Sequence, residues 1–129
     1  MNQQEGDIYL LRKREFIRTD DEIIKIGHTT RSIEERISEY PKGSKLIMSY
    51  SVDNSAFMEK EIKRMLNNIF MRVDWEGTES FKGNIKEIQQ KVIDVIIFTE
   101  KYNIDYITSV KMIKENNVIL KQNIKKNFI

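Results

Sequence analysis

Apolar and polar residues alternate over three short stretches of the chain, a pattern with the two-residue period of a β-strand. These stretches predict strands near residues 7–12, 22–27 and 45–52. Within the second stretch, Ile24 and Ile26 share one face, whereas Lys25 and Gly27 share the other. The second strand is therefore expected to present Lys25 and Gly27 on the same side.

The first two predicted strands are joined by a connection in which residues 12–15 and 18–21 are polar, which favours a β-hairpin. A turn centred near Ile17 would place Tyr9 directly opposite Lys25 on the neighbouring strand. Gly27 closes the second strand, and a glycine suits such a junction because it accepts backbone angles that a Cβ atom would forbid.

Three longer stretches have apolar residues at spacings of three and four, which predicts helices near residues 32–40, 55–69 and 84–100. Ser32 is a favourable N-cap, and Glu35 three residues later completes a capping box. Pro41 ends this first helix because proline cannot continue the helical hydrogen bonds. Residues 71–81 are irregular and compatible with a small hairpin.

The order of these elements predicts a small α+β domain, in which a mainly antiparallel three-stranded sheet is flanked by helices. We expect this domain to occupy residues 1–100. Residues 101–129 form a basic extension with a weaker helical pattern. This extension is interpreted as a helix that docks on the domain, that pairs with a second copy of the chain in a homo-oligomer, or that does both.

The composition excludes several classes of protein and site. The chain has 129 residues, no cysteine and one histidine, which argues against disulfides, thiolate metal sites and histidine-rich zinc sites. The first residues lack the pattern of a signal peptide, and the apolar run at residues 95–98 is too short to cross a membrane. We therefore expect a protein of the cytoplasm or nucleus of a host cell, neither secreted nor membrane-bound.

Charge is distributed unevenly along the chain. The net charge is +2, yet residues 111–129 contain five lysines and one glutamate. A basic end of this kind can follow a phosphate backbone. It can equally be a solubilising lysine-rich tail, and the sequence leaves both interpretations open.

Four short features follow one another in a recognisable order: Gly6-Asp-Ile-Tyr9, Lys25-Ile-Gly27, Arg36 and Glu59. This order resembles the GIY-YIG nucleases, in which a β-hairpin carries the two motifs of the name, one helix carries an arginine and a later helix carries a glutamate. Arg36 follows Gly27 by nine residues, as in that family. The resemblance covers about residues 6–81.

The details of the resemblance point to a particular branch of the family. Lys25 stands where the second motif usually has tyrosine, and Asp7 is an extra residue within the first motif. Both features are seen in small domains from phages and large DNA viruses. Farther along, Gly77-Thr-Glu-Ser-Phe81 resembles a Gly-x-Glu-Trp-Phe segment of some members.

The resemblance implies a metal-dependent endonuclease that hydrolyses phosphodiester bonds of DNA. In that role Glu59 would hold one Mg²⁺ or Mn²⁺ ion, and Arg36 would grip phosphoryl oxygens. Tyr9 would position or deprotonate the attacking water, while Lys25 would favour the deprotonated form of Tyr9 or orient the water itself. The candidates for substrate binding are His28, Thr29, Arg31, Lys111 and Lys114.

This chemistry requires the four catalytic candidates to share one concavity. Tyr9 and Lys25 would reach it from neighbouring strands, Arg36 from outside the apolar stripe of its helix, and Glu59 from the rim of its own helix. A phosphate and one hydrated metal ion would hold the Arg36 guanidinium and the Glu59 carboxylate roughly 6–9 Å apart.

Each of these residues also has an ordinary interpretation. Tyr9 can be a strand aromatic, and Lys25 can be a solvated lysine at a sheet edge. Arg36 and Glu59 each precede a residue of opposite charge at helical spacing, which is typical of weak surface pairs.

Two other functions therefore stay open beside the nuclease. One is a catalytically inactive module of the same fold that binds nucleic acid. The other is a protein-interaction domain in which residues 84–129 drive self-association.

The lysine-rich end provides a first test. Deleting residues 111–129 should flatten the dependence of DNA affinity on salt, because each lost phosphate contact lowers the slope of log K against log [salt] by about 0.9. The loss should be similar for unrelated DNA sequences, since phosphate contacts carry no base information. The measurement is a salt titration of binding by fluorescence anisotropy, with full-length and shortened chains. An unchanged slope would show that this end is a solubilising or packing element.

Overall fold

Five β-strands and four α-helices make up the part of the chain that the computed structural model describes, residues 4–75 and 78–102. The strands are β1 (Gly6–Arg12), β2 (Ile23–Thr29), β3 (Lys45–Val52), β4 (Met71–Trp75) and β5 (Thr78–Lys82). The helices are α1 (Arg14–Arg18), α2 (Ile33–Ser38), α3 (Ser55–Asn67) and α4 (Ile85–Tyr102). The strands lie in the order β3-β1-β2-β5-β4, and all neighbouring pairs are antiparallel.

The predicted α+β class is confirmed, but the sheet has five strands rather than three. The irregular segment at residues 71–81 forms β4 and β5, which pair with each other, and β5 also pairs with β2. Phe81 gives the physical reason: its fully buried side chain belongs to the core, so the hairpin has to join the sheet. Glu76 and Gly77, which separate the two strands in the sequence, lie outside the described residues.

The helices begin close to their predicted starts because side chains cap them. The Ser32 hydroxyl accepts from the Glu35 N–H at 3.1 Å at the start of α2, which confirms the predicted cap. The Asn54 side chain accepts from the Phe57 N–H at 3.2 Å at the start of α3. These caps set the positions of the helical residues that follow them.

The connection between β1 and β2 is helical rather than a simple polar turn. It contains α1, which buries the ring of Phe16. Asp20 follows with a φ of 59°, in the left-handed region that aspartate tolerates better than most residues. Arg12 closes the connection, since its Nε and Nη2 donate to the Asp21 carbonyl at 3.1 and 2.8 Å.

This connection shifts the register of the hairpin from the prediction. Tyr9 pairs with Gly27 and Leu11 pairs with Lys25, so the predicted pairing of Tyr9 with Lys25 is wrong. The shift is an even number of residues, so each side chain stays on the face of the sheet where it was predicted to lie. Tyr9 and Lys25 therefore still lie on one face. β2 also continues past its predicted end at Gly27 to Thr29.

The main core lies between one face of the sheet and the helices α3 and α4. Its buried apolar side chains come from β1, β2, β3, β5 and both helices. They are Ile8, Leu10, Ile24, Ile26, Val52, Met58, Ile62, Leu66, Phe81, Ile88, Val92 and Ile96. Removing this surface from water is the main favourable contribution to folding.

The opposite face of the sheet carries Tyr9, Leu11 and Lys25. Tyr9 and Leu11 are 1% and 0% exposed, so this face is covered as well. Part of the cover comes from the segment after α2, where Tyr40 contacts Tyr9. The sheet thus lies between α3 and α4 on one side and the α2 region on the other.

β2 is paired on both sides only along its first half. Its ladder with β5 ends at the pair of Lys25 and Ser80, whereas its ladder with β1 continues to Thr29. Among the described residues, positions 26–29 have no partner strand on the β5 side. We call positions 26–29 the open edge of β2. Side chains from the two faces of the sheet can approach each other here because no strand separates them.

Within residues 4–75 and 78–102, no helix combines the length and the apolar character needed to cross a membrane. The described part of α4 reaches Tyr102, and the predicted basic extension lies outside the described residues from position 103 onward.

Candidate active site

The ring of Tyr9 lies across β2 at Gly27. A Cβ atom on Gly27 would be 2.4 Å from both Cζ and the hydroxyl oxygen of Tyr9, so this position must be glycine for reasons of space. The expectation that Gly27 needs unusual backbone angles is wrong, since the glycine with positive φ among the described residues is Gly43. The missing side chain is what allows Tyr9 to lie against the strand.

The hydroxyl of Tyr9 meets that of Tyr40, two residues beyond the end of α2. The two oxygens are 2.8 Å apart, and the rings pack edge-to-face with their centroids 6.2 Å apart. Burial, and then the hydrogen bond with Tyr9, raises the pKa of Tyr40. Tyr40 therefore keeps its proton throughout the physiological pH range.

Arg36 on α2 lies against both phenol rings. Its Cζ is 4.9 Å from the ring centroid of Tyr40 and 5.8 Å from that of Tyr9. Its Nη2 donates to the Tyr40 hydroxyl at 3.3 Å, and its Nη1 donates to the Glu39 carboxylate at 3.3 Å. The ordinary pair of Arg36 with Glu39 is thus present, and the guanidinium also lies within cation–π distance of both tyrosine rings.

Lys25 approaches the same cluster from β2. Its Nζ is 5.9 Å from the ring centroid of Tyr40. Burial lowers the pKa of Lys25 to about 8 from its ordinary 10.5. The neighbouring charges that also act on this pKa are those of Lys13, Lys63 and Arg36, which lower it, and that of Glu59, which raises it.

Glu59 is placed by a close contact between α3 and the start of β1. A Cβ atom on Gly6 would lie 2.5 Å from Ser55 Oγ and from the carbonyl oxygen of Thr29. The Ser55 N–H also donates to the Gln4 carbonyl at 3.2 Å. The first turn of α3 is therefore held against the ends of β1 and β2, and Glu59 follows one turn later.

The carboxylate of Glu59 lies between a histidine and a lysine. Its Oε2 is 3.2 Å from His28 Nδ1 and 3.8 Å from Lys63 Nζ. Among the described residues, His28 Nδ1 is buried and has no hydrogen-bond partner. Its approach to Glu59 is therefore a close contact and not a hydrogen bond. Lys63 also lies 4.0 Å from Glu79 on β5. The ordinary helical pair of Glu59 with Lys63 is therefore present too.

Two groups of side chains thus meet around the open edge of β2. Tyr9, Lys25 and Arg36 all contact Tyr40, whereas Glu59 contacts His28 and Lys63. Lys25 links the groups, since the charge of Glu59 acts on its pKa. The separation of roughly 6–9 Å between the Arg36 guanidinium and the Glu59 carboxylate stays a prediction.

The other residues predicted to bind substrate have local partners. Thr29 is buried, and its Oγ1 accepts from the Arg31 N–H at 3.1 Å in the turn that follows β2. The Arg31 guanidinium forms an ion pair with Glu39. Lys111 and Lys114 lie outside the described residues.

Sequence reasoning missed the part that Tyr40 plays in this cluster. As an aromatic residue at the end of a predicted helix, Tyr40 is easily taken for part of the core, yet it lies four positions after Arg36, at the spacing of neighbours on a helix surface. Lys13 was missed as well. Lys13 follows Leu11 by two residues and Tyr9 by four, so strand alternation predicts that all three lie on the same face of the sheet. The side chain of Lys13 is buried, with 8% of its surface exposed.

The donor atoms of this region suit one hydrated divalent cation rather than an all-protein metal cage. No group of three or more histidine, cysteine, aspartate or glutamate side chains in the described part of the chain can hold a metal ion. Mg²⁺ commonly binds through one or two carboxylates, with waters and substrate phosphate completing the shell. Glu59 fits that single-carboxylate mode.

Comparison with known proteins identifies one family. A family model described as the T5orf172 domain matches residues 6–97. No curated protein and no solved structure matches the chain.

The contact between Tyr9 and Gly27 predicts a specific coupling. Gly27→Ala should lower the free energy of unfolding by about 1–3 kcal/mol, because the new methyl group displaces the Tyr9 ring. In a Tyr9→Leu background the same change should cost much less, since the ring atoms that collide are gone. Urea denaturation of the four proteins in the cycle measures both effects. Equal costs in the two backgrounds would contradict this account of the glycine.

The lowered pKa of Lys25 predicts how stability depends on pH. Below about pH 8 the lysine is charged in both the folded and the unfolded chain, and its desolvation opposes folding in full. Between about pH 8 and 10.5 the unfolded chain binds more protons, so stability should rise with pH. Lys25→Met should therefore stabilise the protein at pH 7, and this advantage should fade towards pH 10.5.

The matched control is Lys45→Met, which removes an exposed strand lysine. It should leave the pH dependence of the wild type intact. Urea denaturation at a series of pH values is the measurement. Parallel pH profiles for the wild type and Lys25→Met would refute the assignment.

Proposed function

The chain belongs to the T5orf172 domain family, and from this premise we propose that it is a metal-dependent DNA endonuclease domain of the GIY-YIG type, which hydrolyses phosphodiester bonds. The family occurs in phage and bacterial nuclease-like proteins. The observation that carries the proposal is the meeting of Tyr9, Lys25 and Arg36 around Tyr40, with the charge of Glu59 acting on Lys25.

The cationic side chains of the site would bind the phosphodiester. Arg36 is held by Tyr40 and Glu39, with its Cζ 5.8 Å from the centre of the Tyr9 ring, so it is preorganised as a phosphate clamp. Lys25 adds a second positive charge on the same face of the sheet. An approaching phosphate favours the charged form of this lysine, whose pKa is about 8 in the free protein.

Tyr9 would act on the attacking water. Its hydroxyl is fixed by the glycine beneath the ring and by the hydrogen bond with Tyr40. A hydroxyl held in this way can orient a water molecule towards a phosphorus atom gripped by Arg36. The positive charges of Lys25 and Arg36 favour any negative charge that develops on the phosphoryl oxygens.

Glu59 is the residue that would hold a Mg²⁺ or Mn²⁺ ion. When bound, the ion would supply Lewis-acid stabilisation of charge on the phosphate. His28 and Lys63 flank the Glu59 carboxylate, whose Oε2 lies 3.2 Å from His28 Nδ1 and 3.8 Å from Lys63 Nζ. In this proposal Arg36 and Lys25 bind the phosphate, and Glu59 holds the cation.

A second candidate function is nucleic-acid binding without cleavage. It is favoured by the contact of Glu59 with Lys63, because a carboxylate already compensated by a neighbouring ammonium group attracts a metal ion less strongly. In that case the cluster of Lys25, Arg36 and Lys13 would bind the phosphate backbone, and no bond would be broken.

Glu59→Gln distinguishes the two functions. Cleavage of supercoiled plasmid in Mg²⁺ or Mn²⁺ should fall at least about a hundredfold, while DNA affinity should change less than about twofold, because the carboxylate acts on the transition state rather than on binding. Gel analysis of nicked and linear product measures cleavage, and fluorescence anisotropy measures affinity. Wild type with excess chelator should match the variant.

The matched control is Glu61→Gln, which changes a carboxylate on the same helix that pairs with Arg64. It should cleave like the wild type. Retained cleavage in Glu59→Gln would show that any metal is held elsewhere. Tight DNA binding by a wild type that does not cleave would favour the binding module.

A further inference from the structure

Lys13 is the one charged side chain that is buried among the described residues, with 8% of its surface exposed. It directly follows β1, and its backbone is still extended, with φ −68° and ψ 149°. The alternation of β1 therefore continues to Lys13, which shares the face of Tyr9 and Leu11. Its burial needs an explanation, because lysine is almost never buried without a partner.

No carboxylate in the described part of the chain lies within ion-pair distance of Lys13. Glu15, two positions along the chain, pairs instead with Arg14 at 3.3 Å. Within the same described residues Lys25 has no carboxylate in contact either, although the charge of Glu59 acts on it from farther away. Burying cations without counter-charges is unfavourable, and a bound anion would offset that cost.

Lys13 and Lys25 lie side by side on the sheet. Lys25 pairs with Leu11, and Lys13 lies two residues beyond Leu11 on the same face. After burial, the charge of Lys13 is the strongest influence that lowers the pKa of Lys25, ahead of the charges of Lys63 and Arg36. The two ammonium groups are therefore near neighbours that repel each other in the free protein.

We propose that Lys13 and Lys25 form a two-lysine site that binds a phosphate group of the DNA backbone next to the one that is cleaved. This inference rests on the proposed nuclease function for the identity of the cleaved phosphate. The pair of lysines is present in the free protein, so both the pair and its binding of DNA can be tested without cleavage.

The position of Lys13 along β1 separates it from the place where cleavage would occur. In the proposed function the attacking water lies at the Tyr9 hydroxyl, and Lys13 is four residues farther along the chain, roughly 13 Å at about 3.4 Å per residue. Glu59 lies towards the other end of β2, at its open edge. A DNA strand held at Tyr9 and at Lys13 would therefore run along β1, past Lys25 and away from Glu59.

Two lysines suit the recognition of a phosphate backbone rather than of bases. An ammonium group offers three donors and no acceptor, and it binds phosphate as a point charge. A phosphate between Lys13 and Lys25 would relieve the repulsion of the two ammonium groups, which strengthens its binding. The site should therefore add affinity for DNA without adding sequence preference.

The first test measures the pair of lysines in the free protein. Lys13→Met keeps most of the buried side chain and removes its charge. The pKa of Lys25, followed by NMR of its side chain, should rise from about 8 towards its ordinary 10.5 and stop short of it, because burial remains. The signal is identified by its loss in Lys25→Met. Lys91→Met, which removes an exposed lysine of α4, should leave this pKa unchanged.

The second test measures the binding of DNA. A salt titration by fluorescence anisotropy uses a DNA duplex in excess chelator, which prevents metal-dependent cleavage. Lys13→Met should lower the slope of log K against log [salt] by about 0.9, because one phosphate contact is lost. Lys13→Arg keeps the charge and should keep the slope, and Lys91→Met should match the wild type. Circular dichroism and urea denaturation establish that each variant is folded.

The outcomes separate this inference from the proposed function. An unchanged pKa of Lys25 in Lys13→Met overturns the two-lysine site, since the ammonium groups would then not be neighbours. An unchanged salt slope also overturns it, and a wild type that cleaves DNA would still support the nuclease. If the wild type fails to cleave but the slope falls in Lys13→Met, the nuclease proposal fails and the binding of backbone phosphate by the two lysines is supported. A wild type that binds no DNA overturns both.

Discussion

The rest of the site depends on the close approach of one aromatic ring to one strand. Tyr9 can lie across β2 only because Gly27 has no Cβ atom. This contact brings the Tyr9 hydroxyl to Tyr40, and Tyr40 in turn accepts from Arg36 on α2. The absence of a side chain at Gly27 therefore allows the packing that brings together β1, β2 and the α2 region. The hydrogen bonds among the tyrosines and Arg36 depend on this packing.

The electrostatics of the site follow from the same placement. Burying Lys25 beside Lys13 and Arg36 is unfavourable in the free protein, and its lowered pKa records that cost. Clustered, partly desolvated cations of this kind attract anions strongly, because a bound phosphate relieves their mutual repulsion. Glu59 offsets part of the excess charge from the other side of the open edge. The burial of Lys25 thus lowers the stability of the fold at the place where the same positive charges would favour the binding of an anion.

The sequence predicted what depends on local pattern and missed what depends on space. Strand alternation placed Lys25 and Gly27 on one face, and cap chemistry located the start of α2 at Ser32. The hairpin register was wrong because the β1–β2 connection folds as a helix, which the polar residues there do not reveal. Gly27 was correctly singled out, but for its backbone angles rather than for the space that the Tyr9 ring occupies. A contact with a residue on the neighbouring strand cannot be recognised from the local sequence. Tyr40 was overlooked because an aromatic in an apolar stripe looks like core.

The open edge of β2 also has an evolutionary consequence. Arg36 and Tyr40 belong to the layer that contains α2, whereas Glu59 belongs to the layer that contains α3, and β2 is the element both layers share. If the chain has the function proposed above, a single substitution at Glu59 would remove the carboxylate and leave Arg36 and Lys25 in place, so a protein that binds nucleic acid without cleaving it would lie one mutational step away.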